Sequence, residues 1–299
     1  MATYKKLNDL TEIILKEINN VIAGIERRVS ATCIVADSDP SNVSYVKGLQ
    51  KKASLCGVNL EVLELPSDIN PEKFYDNIKK LNEDNNCCGI IIQNPIPSHI
   101  EKHRVFELID YRKDLDGISY INQGRLLNGN PYMIPATAWA VEVTLDYISY
   151  IEKINLCGLN AVIAGRSVTV GKPAMIRLLS KNITPTIVHT KTQDIKTIAS
   201  NADILVACCG VAELIDRSWV KPGAIVIDVG IHSKLTDEGK YKLCGDVNAL
   251  SALENAFYLT AVPGGVGSVT SALLFANAVK AYFKIVESKE YSFGFENNK

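Results

Sequence analysis

Four short segments carry the residue types and spacings that could do chemistry. The first is Gly165-Arg166-Ser167-Val168-Thr169-Val170-Gly171-Lys172-Pro173, which follows an apolar run and leads into a helical pattern opened by Pro173. Glycines at such a turn let backbone approach a ligand, and the N–H groups that begin the helix can hold a phosphate. The segment is not G-x-G-x-x-G, and taken alone a glycine at such a turn more often serves structure only. The second is His189-Thr190-Lys191-Thr192, about 24 residues past Gly165. An NAD site carries an acid there for the ribose 2′-hydroxyl. Here Thr190 offers a hydroxyl and Lys191 a cation, with Arg166 able to reach the same place. That chemistry suits a 2′-phosphate, and the alternative is a solvated turn. The third, Pro263-Gly264-Gly265-Val266-Gly267, reads either as a ligand-facing backbone or as a sharp turn. The fourth, Lys113-Asp114-Leu115-Asp116-Gly117, offers carboxylates, and by itself Asp116 reads as a turn cap before Gly117.

Metal chemistry is not expected. His99, His103, His189 and His232 are scattered, without ligand spacing. The eight cysteines form no C-x-x-C pair and read as buried thiols.

The elements that must position these segments alternate along the chain. Helical spacing covers Leu7 to Ile25, and a short apolar strand follows at Thr32 to Asp37. A helix at Asn42 to Cys56, a strand at Leu60 to Leu65, a helix at Pro71 to Asn82 and a strand at Cys88 to Gln93 continue the series. Asp110 to Pro135 reads as a long irregular stretch, either functional or at odds with the scheme. After the helix Ala138 to Ile151, a second series runs from the strand Ala161 to Gly165 through strands at Thr184, Ile204 and Ala224. The last strong element is the helix Val269 to Ile285. This is an α/β protein of two parallel-sheet units divided near residue 138, with a cleft between them as the expected ligand site.

At 299 residues, 47% hydrophobic and 22% charged, the chain has a globular composition. A net charge of -1 gives no global footprint for nucleic acid. No apolar run approaches the ~18–20 residues that cross a bilayer, and the N-terminus lacks a signal-peptide core, so no membrane role and a cytoplasmic location are expected.

Together the segments resemble the methylenetetrahydrofolate dehydrogenase/methenyltetrahydrofolate cyclohydrolase family over nearly the whole length. Tyr45-Val46 lies five residues after Pro40; Gln93-Asn94-Pro95-Ile96-Pro97-Ser98-His99 matches the family's Gln-Leu-Pro-Leu-Pro-x-His with Asn94 for Leu. Residues 113–117, the nucleotide loop from Gly165 to Pro173 and the loop Pro263 to Gly267 match in order and spacing. The resemblance implies an N-terminal α/β folate-binding domain, 1–138 plus the C-terminal helix 270–299. It also implies a Rossmann-like NAD(P)-binding domain, 139–269, through which the family forms homodimers. It implies hydride transfer from a folate to NADP, with NAD the less suited cofactor.

By the same resemblance, Tyr45, Gln93 and Asp116 are the catalytic residues. Tyr45, Asp116, Pro263, Gly264 and Gly265 meet the folate. Gly165, Arg166, Ser167, Gly171, His189, Thr190, Lys191 and Thr192 meet the dinucleotide. Two departures stand out. The family's catalytic Lys, four residues after the Tyr, is Leu49 here, while Lys47 and Lys51 fall on other helix faces and Lys52 lies a turn further along. The family's Pro-Cys-Thr-Pro-x-Gly is Pro135-Ala136-Thr137-Ala138-Trp139-Ala140. Loss of cyclohydrolase activity is therefore expected. The alternatives are a bifunctional enzyme, a non-catalytic folate- or nucleotide-binding descendant, and a Rossmann dehydrogenase for another substrate.

Overall fold

The computed structural model describes residues 3–36, 40–235, 239 and 241–296. The chain divides into two compact units: Glu12–Ala136 with Ser271–Lys299, and Met1–Thr11 with Thr137–Thr270. Residues 3–11 thus lie with 137–270, whereas 1–138 were expected in one unit. The cause is pairing: β1 (Thr3–Lys5) lies parallel to β11 (Tyr258–Thr260), and the Leu7 N–H donates to the Gly264 carbonyl at 2.8 Å.

In the first of these units, β2 (Ser30–Val35) is the middle of a parallel sheet, flanked by β3 (Asn59–Glu64) and β4 (Gly89–Ile92). Asp37, expected at the end of β2, lies outside the described residues. The helix α2 (Pro40–Leu55) connects β2 to β3, and α3 (Pro71–Glu83) connects β3 to β4. The α3 N-terminus is capped by Asn70, whose side chain accepts from Glu72 N–H at 2.9 Å. Phe74, Tyr75 and Ile78 of α3 turn inward onto Ile34, Ile90 and Ile92, an apolar stripe at helical spacing against an unbroken apolar strand.

Residues 113–115 extend this sheet. Ile90 N–H donates to Lys113 O at 2.6 Å and Leu115 N–H to Ile90 O at 3.2 Å. Gly89 has no room for a side chain, because a Cβ would overlap Leu115. The buried Lys113 ammonium donates to the Leu81, Asn82 and Asp84 carbonyls, each at 2.8 Å, and so satisfies the last turn of α3. The stretch expected to be irregular contains α5 (Tyr120–Leu127), and α4 (Lys102–Leu108) precedes it. Tyr120, Ile121 and Leu127 face solvent while Asn122 and Leu126 are buried, so the apolar pattern conceals this helix.

The second unit holds six parallel strands in the order β1, β11, β8 (Ile225–Asp228), β7 (Ile204–Ala207), β5 (Asn160–Ala164), β6 (Thr184–Val188). The chain steps from β5 to β6 on one side, then returns to β7 on the other. Such a reversal opens a crevice at the carboxyl ends of the strands. The helices α6 (Ala136–Glu152) and α7 (Gly171–Ser180) are joined by a two-pronged ion pair, Arg177 to the buried Glu142, at 2.6 and 2.7 Å. The short helices α8 (Ile195–Ala199) and α9 (Ala249–Ala252) complete this side, and β9 (His232–Leu235) with β10 (Tyr241–Cys244) forms an antiparallel hairpin.

Two expectations are corrected here. The helix α10 (Val266–Val286) is long and apolar enough to cross a bilayer, but 72% of its apolar window is buried inside the protein, as in a core helix. Of the cysteines, Cys33, Cys56, Cys87 and Cys88 are buried, Cys208, Cys209 and Cys244 are partly buried, and Cys157 is exposed in the turn before β5.

Replacing Lys113 by Met keeps most of the volume and removes three charge-assisted hydrogen bonds. Urea unfolding of Lys113→Met should show a stability loss of about 2–3 kcal/mol, the range for hydrogen bonds to a charged group.

Candidate functional site

Asp116 emerges where the 113–115 segment leaves β4, and Gln93 emerges from β4 itself at the same end of the sheet. Asp116 is partly buried, and burial followed by the charge of Asp114 pushes its carboxyl up to about 7. Asp114 has no exposed surface and accepts from Ile118 N–H, Ser119 N–H and Asn122 Nδ2 at 3.1, 2.7 and 2.8 Å. Only Asp116 of this carboxylate pair remains available to a ligand. Gly117, at φ +63°, lies so close to Pro135 that a Cβ would come within 2.7 Å of its nitrogen. Substitution there would move Asp116.

Tyr45 of α2 exposes 38% of its surface. Its hydroxyl hydrogen-bonds with Ser271, and burial, Asp116 and Cys33 raise its pKa. The ring is therefore open to stacking while the phenol stays protonated. The Cys33 thiol, in β2, is pushed up to about 12 by burial and by Asp116. Tyr45 and Asp116 are thus near neighbours. Gln93 donates through Nε2 to Asn94 O at 2.9 Å, which turns it back along the loop.

Leu49 follows Tyr45 by one turn and is 1% exposed, a core position. Lys52 follows by another turn, partly buried, with its amine lowered to about 8 by burial. The altered segment 136–140 forms the first turn of α6, where Ala136, Ala138, Trp139 and Ala140 are all buried.

The other unit gathers the nucleotide candidates. Gly165, at φ +142°, ends β5, and a Cβ there would overlap the Cys208 carbonyl at the end of β7. A Cβ at Gly171 would overlap the Gly165 carbonyl. The turn is closed to side chains and leaves a backbone cradle at the crevice. Ser167 Oγ accepts from Val170 and Gly171 N–H at 3.1 and 3.3 Å and shapes the entry to α7. Arg166, Thr190 and Lys191 are exposed. His189 Nδ1 accepts from Lys191 N–H at 3.2 Å, and Thr192 Oγ1 accepts from His189 N–H at 2.9 Å, which fixes this turn. No acid stands among residues 189–192. A dinucleotide with a 2′-phosphate fits this donor set.

Pro263, Gly264 and Gly265 lie in the same unit as the nucleotide turn, packed on residues 6 and 7. Sequence reasoning missed Ser271, the partner of Tyr45, and the structural duties of Lys113 and Asp114. For Lys113 and Asp114 the spacing was visible, but the register of the segment against β4 was not.

Two doubly wound units, one with a nucleotide cradle, define a dinucleotide-dependent enzyme. Residues 5–116 match the catalytic domain of tetrahydrofolate dehydrogenase/cyclohydrolase, and residues 135–286 match its NAD(P)-binding domain. The bifunctional protein FolD of Ehrlichia canis is 42% identical over 250 residues, 83% of this chain and 82% of that protein. That of Listeria innocua is 38% identical over 283 residues, 94% of this chain and 96% of that one. The Trypanosoma brucei methylenetetrahydrofolate dehydrogenase-cyclohydrolase, solved with NADP and an inhibitor, superposes with a TM-score of 0.87 at 32% identity, covering 95% of this chain and 98% of that one. The chain belongs to the tetrahydrofolate dehydrogenase/cyclohydrolase family. It is a dehydrogenase of that family, with an NAD(P)-binding domain.

The carboxyl of Asp116 holds its proton to about 7 in the folded protein, against 3.8 for an ordinary carboxyl. The folded state binds more protons in that window, so this group's contribution to stability falls as pH rises through it. Unfolding measured from pH 4 to 8 should show Asp116→Asn gaining stability on the wild type as pH rises.

Proposed function

We propose that the chain oxidises 5,10-methylenetetrahydrofolate to 5,10-methenyltetrahydrofolate with NADP, and that its cyclohydrolase activity is absent or strongly reduced. The observation that carries this reading is the pairing of Tyr45 and Asp116 at the sheet end with Leu49, 1% exposed, in the place of the family's Lys.

Asp116 as a carboxylate accepts two N–H groups from the aminopyrimidinone edge of the pterin. The Tyr45 ring stacks on the folate's aromatic ring. Gln93 presents its amide to the reacting centre. Gly165, Gly171 and Ser167 cradle the dinucleotide phosphates, with Arg166, His189, Thr190, Lys191 and Thr192 toward the 2′-phosphate. Bound NADP supplies a hydride acceptor at the nicotinamide C4. Hydride transfer moves no proton, so the chain's residues contribute positioning at that step.

Hydrolysis of the methenyl cation is different, because water attacks and protons move as the ring opens. A lysine at the buried position 49 would be a desolvated amine, with its pKa lowered toward neutrality. Leu49 fills the site with methyl groups and carries no proton. The second reading is the bifunctional enzyme, and the observation that favours it is Lys52, with its amine near 8 one turn along the helix.

We also infer a homodimer made through the nucleotide unit. Tyr4, Leu235, Leu243 and Leu250 are exposed around a hollow beside the β9–β10 hairpin, a surface that a second copy would cover.

Methenyltetrahydrofolate should accumulate during turnover. Added methenyltetrahydrofolate should yield 10-formyltetrahydrofolate no faster than in buffer, and Leu49→Lys should raise that rate. Conversion by the wild type well above the buffer rate would favour the bifunctional reading. Lys191 should give NADP about tenfold or more advantage over NAD in kcat/KM, the worth of one charge-assisted contact. Lys191→Ala should erase most of that ratio, and equal efficiency with NAD in the wild type would refute the assignment.

A further inference from the structure

Resting on Asp116 as the folate anchor, we infer that Asn277 is a positioning residue: its side-chain amide holds the backbone that carries Asp116 and so governs substrate affinity without touching substrate.

Asn277 lies in the apolar run Leu273-Leu274-Phe275-Ala276-Asn277-Ala278-Val279 of α10 and has no exposed surface. Its Nδ2 donates to two carbonyls at once, Leu115 O at 2.8 Å and Ile134 O at 3.0 Å. Leu115 immediately precedes Asp116. On the other flank, Gly117 lies against Ile134 and Pro135, closer than any side chain would allow. Asp116 is therefore the single residue between a hydrogen-bond clamp and a close backbone contact, and both are made to the same stretch, 134–135. The clamp also closes the base of the loop that contains α5.

The amide spends both N–H groups on these carbonyls, and its Oδ1 is buried with no hydrogen-bond partner among the described residues. An unpaired buried acceptor is destabilising, and a leucine would fill a similar volume without that cost. Packing alone does not explain an amide here, whereas the two carbonyls it holds do.

The test is steady-state kinetics of Asn277→Ala and Asn277→Leu beside Asp116→Ala, with NADP affinity and melting temperature measured on each. The Asn277 variants should raise KM for methylenetetrahydrofolate about tenfold, as the loss of two hydrogen bonds allows, while kcat and NADP affinity change far less. A lower melting temperature with KM unchanged would overturn the inference. Should those variants not fold, Asn277→Asp serves instead. Its acid form donates one hydrogen bond and its ionised form none, so KM should rise with pH. Wild-type KM should instead fall as Asp116 ionises, and an Asn277→Asp profile that follows the wild type refutes the role. If Asp116→Ala raises KM and the Asn277 variants do not, the positioning role alone fails. If Asp116→Ala leaves KM unchanged, the anchor reading fails and this inference with it.

Discussion

A carboxyl without access to water must be surrounded by donors, and the arrangement around Asp114 is what the unit of β2, β3 and β4 is built on. Two backbone N–H groups and the Asn122 amide meet it. The same Asn122 donates to Tyr111 O at 2.9 Å and accepts from Met133 N–H at 3.3 Å, so one polar cluster ties both ends of the 111–133 loop. Burial pushes the Asp114 carboxyl up and its donors pull it down. Removing one donor would leave a buried carboxyl oxygen unpaired, a larger loss than that of an exposed hydrogen bond. The charge of Asp114 then acts on Asp116, two residues on. A fully buried carboxyl and a partly buried one share one short segment, and the first raises the pKa of the second.

The two units solve the problem of placing a ligand in the same way. In each, the first strand of the series sits between its neighbours, β2 between β3 and β4 and β5 between β6 and β7. The chain therefore reverses beside that strand and leaves a crevice at the carboxyl ends. What fills the crevice differs. Beside β2, the Tyr45 phenol and the Asp116 carboxyl approach one another. On the nucleotide side, side chains are excluded, because Gly165, Gly171 and Cys208 bring three backbone stretches into contact. Backbone dipoles suit phosphate, and carboxylate and aromatic side chains suit a heterocycle.

The α/β alternation was legible because the central strands are unbroken apolar runs and the long helices carry apolar residues at helical spacing. The edges were not. β1 has three residues with Tyr4 half exposed, and the β9–β10 hairpin is exposed along most of its length, so neither carries an apolar signature. α5 hid behind solvent-facing Tyr120, Ile121 and Leu127. The sequence singled out Tyr45, Gln93 and Asp116 as candidates through motif spacing. The burial of Asp114 was not legible, since that depends on the bridge between Ile90 and Asp114. Asn277 did leave a signal, a lone amide in an apolar helix, but its meaning needed the two carbonyls.

The pairing of β1 with β11 bears on how the molecule assembles. Thr3 faces Tyr258, so the edge of the nucleotide sheet joins residues 255 positions apart in sequence. Nearly the whole intervening chain, the other unit's core included, emerges from the ribosome before that strand can dock. Contacts of such long range are slow to form and leave a strand edge uncovered meanwhile. The two units are therefore not made one after the other like beads. The nucleotide sheet takes one strand from before the other unit and is completed only after that unit's sheet is available to fold, which makes β1 and the free edge of β8 the surfaces most in need of protection during synthesis.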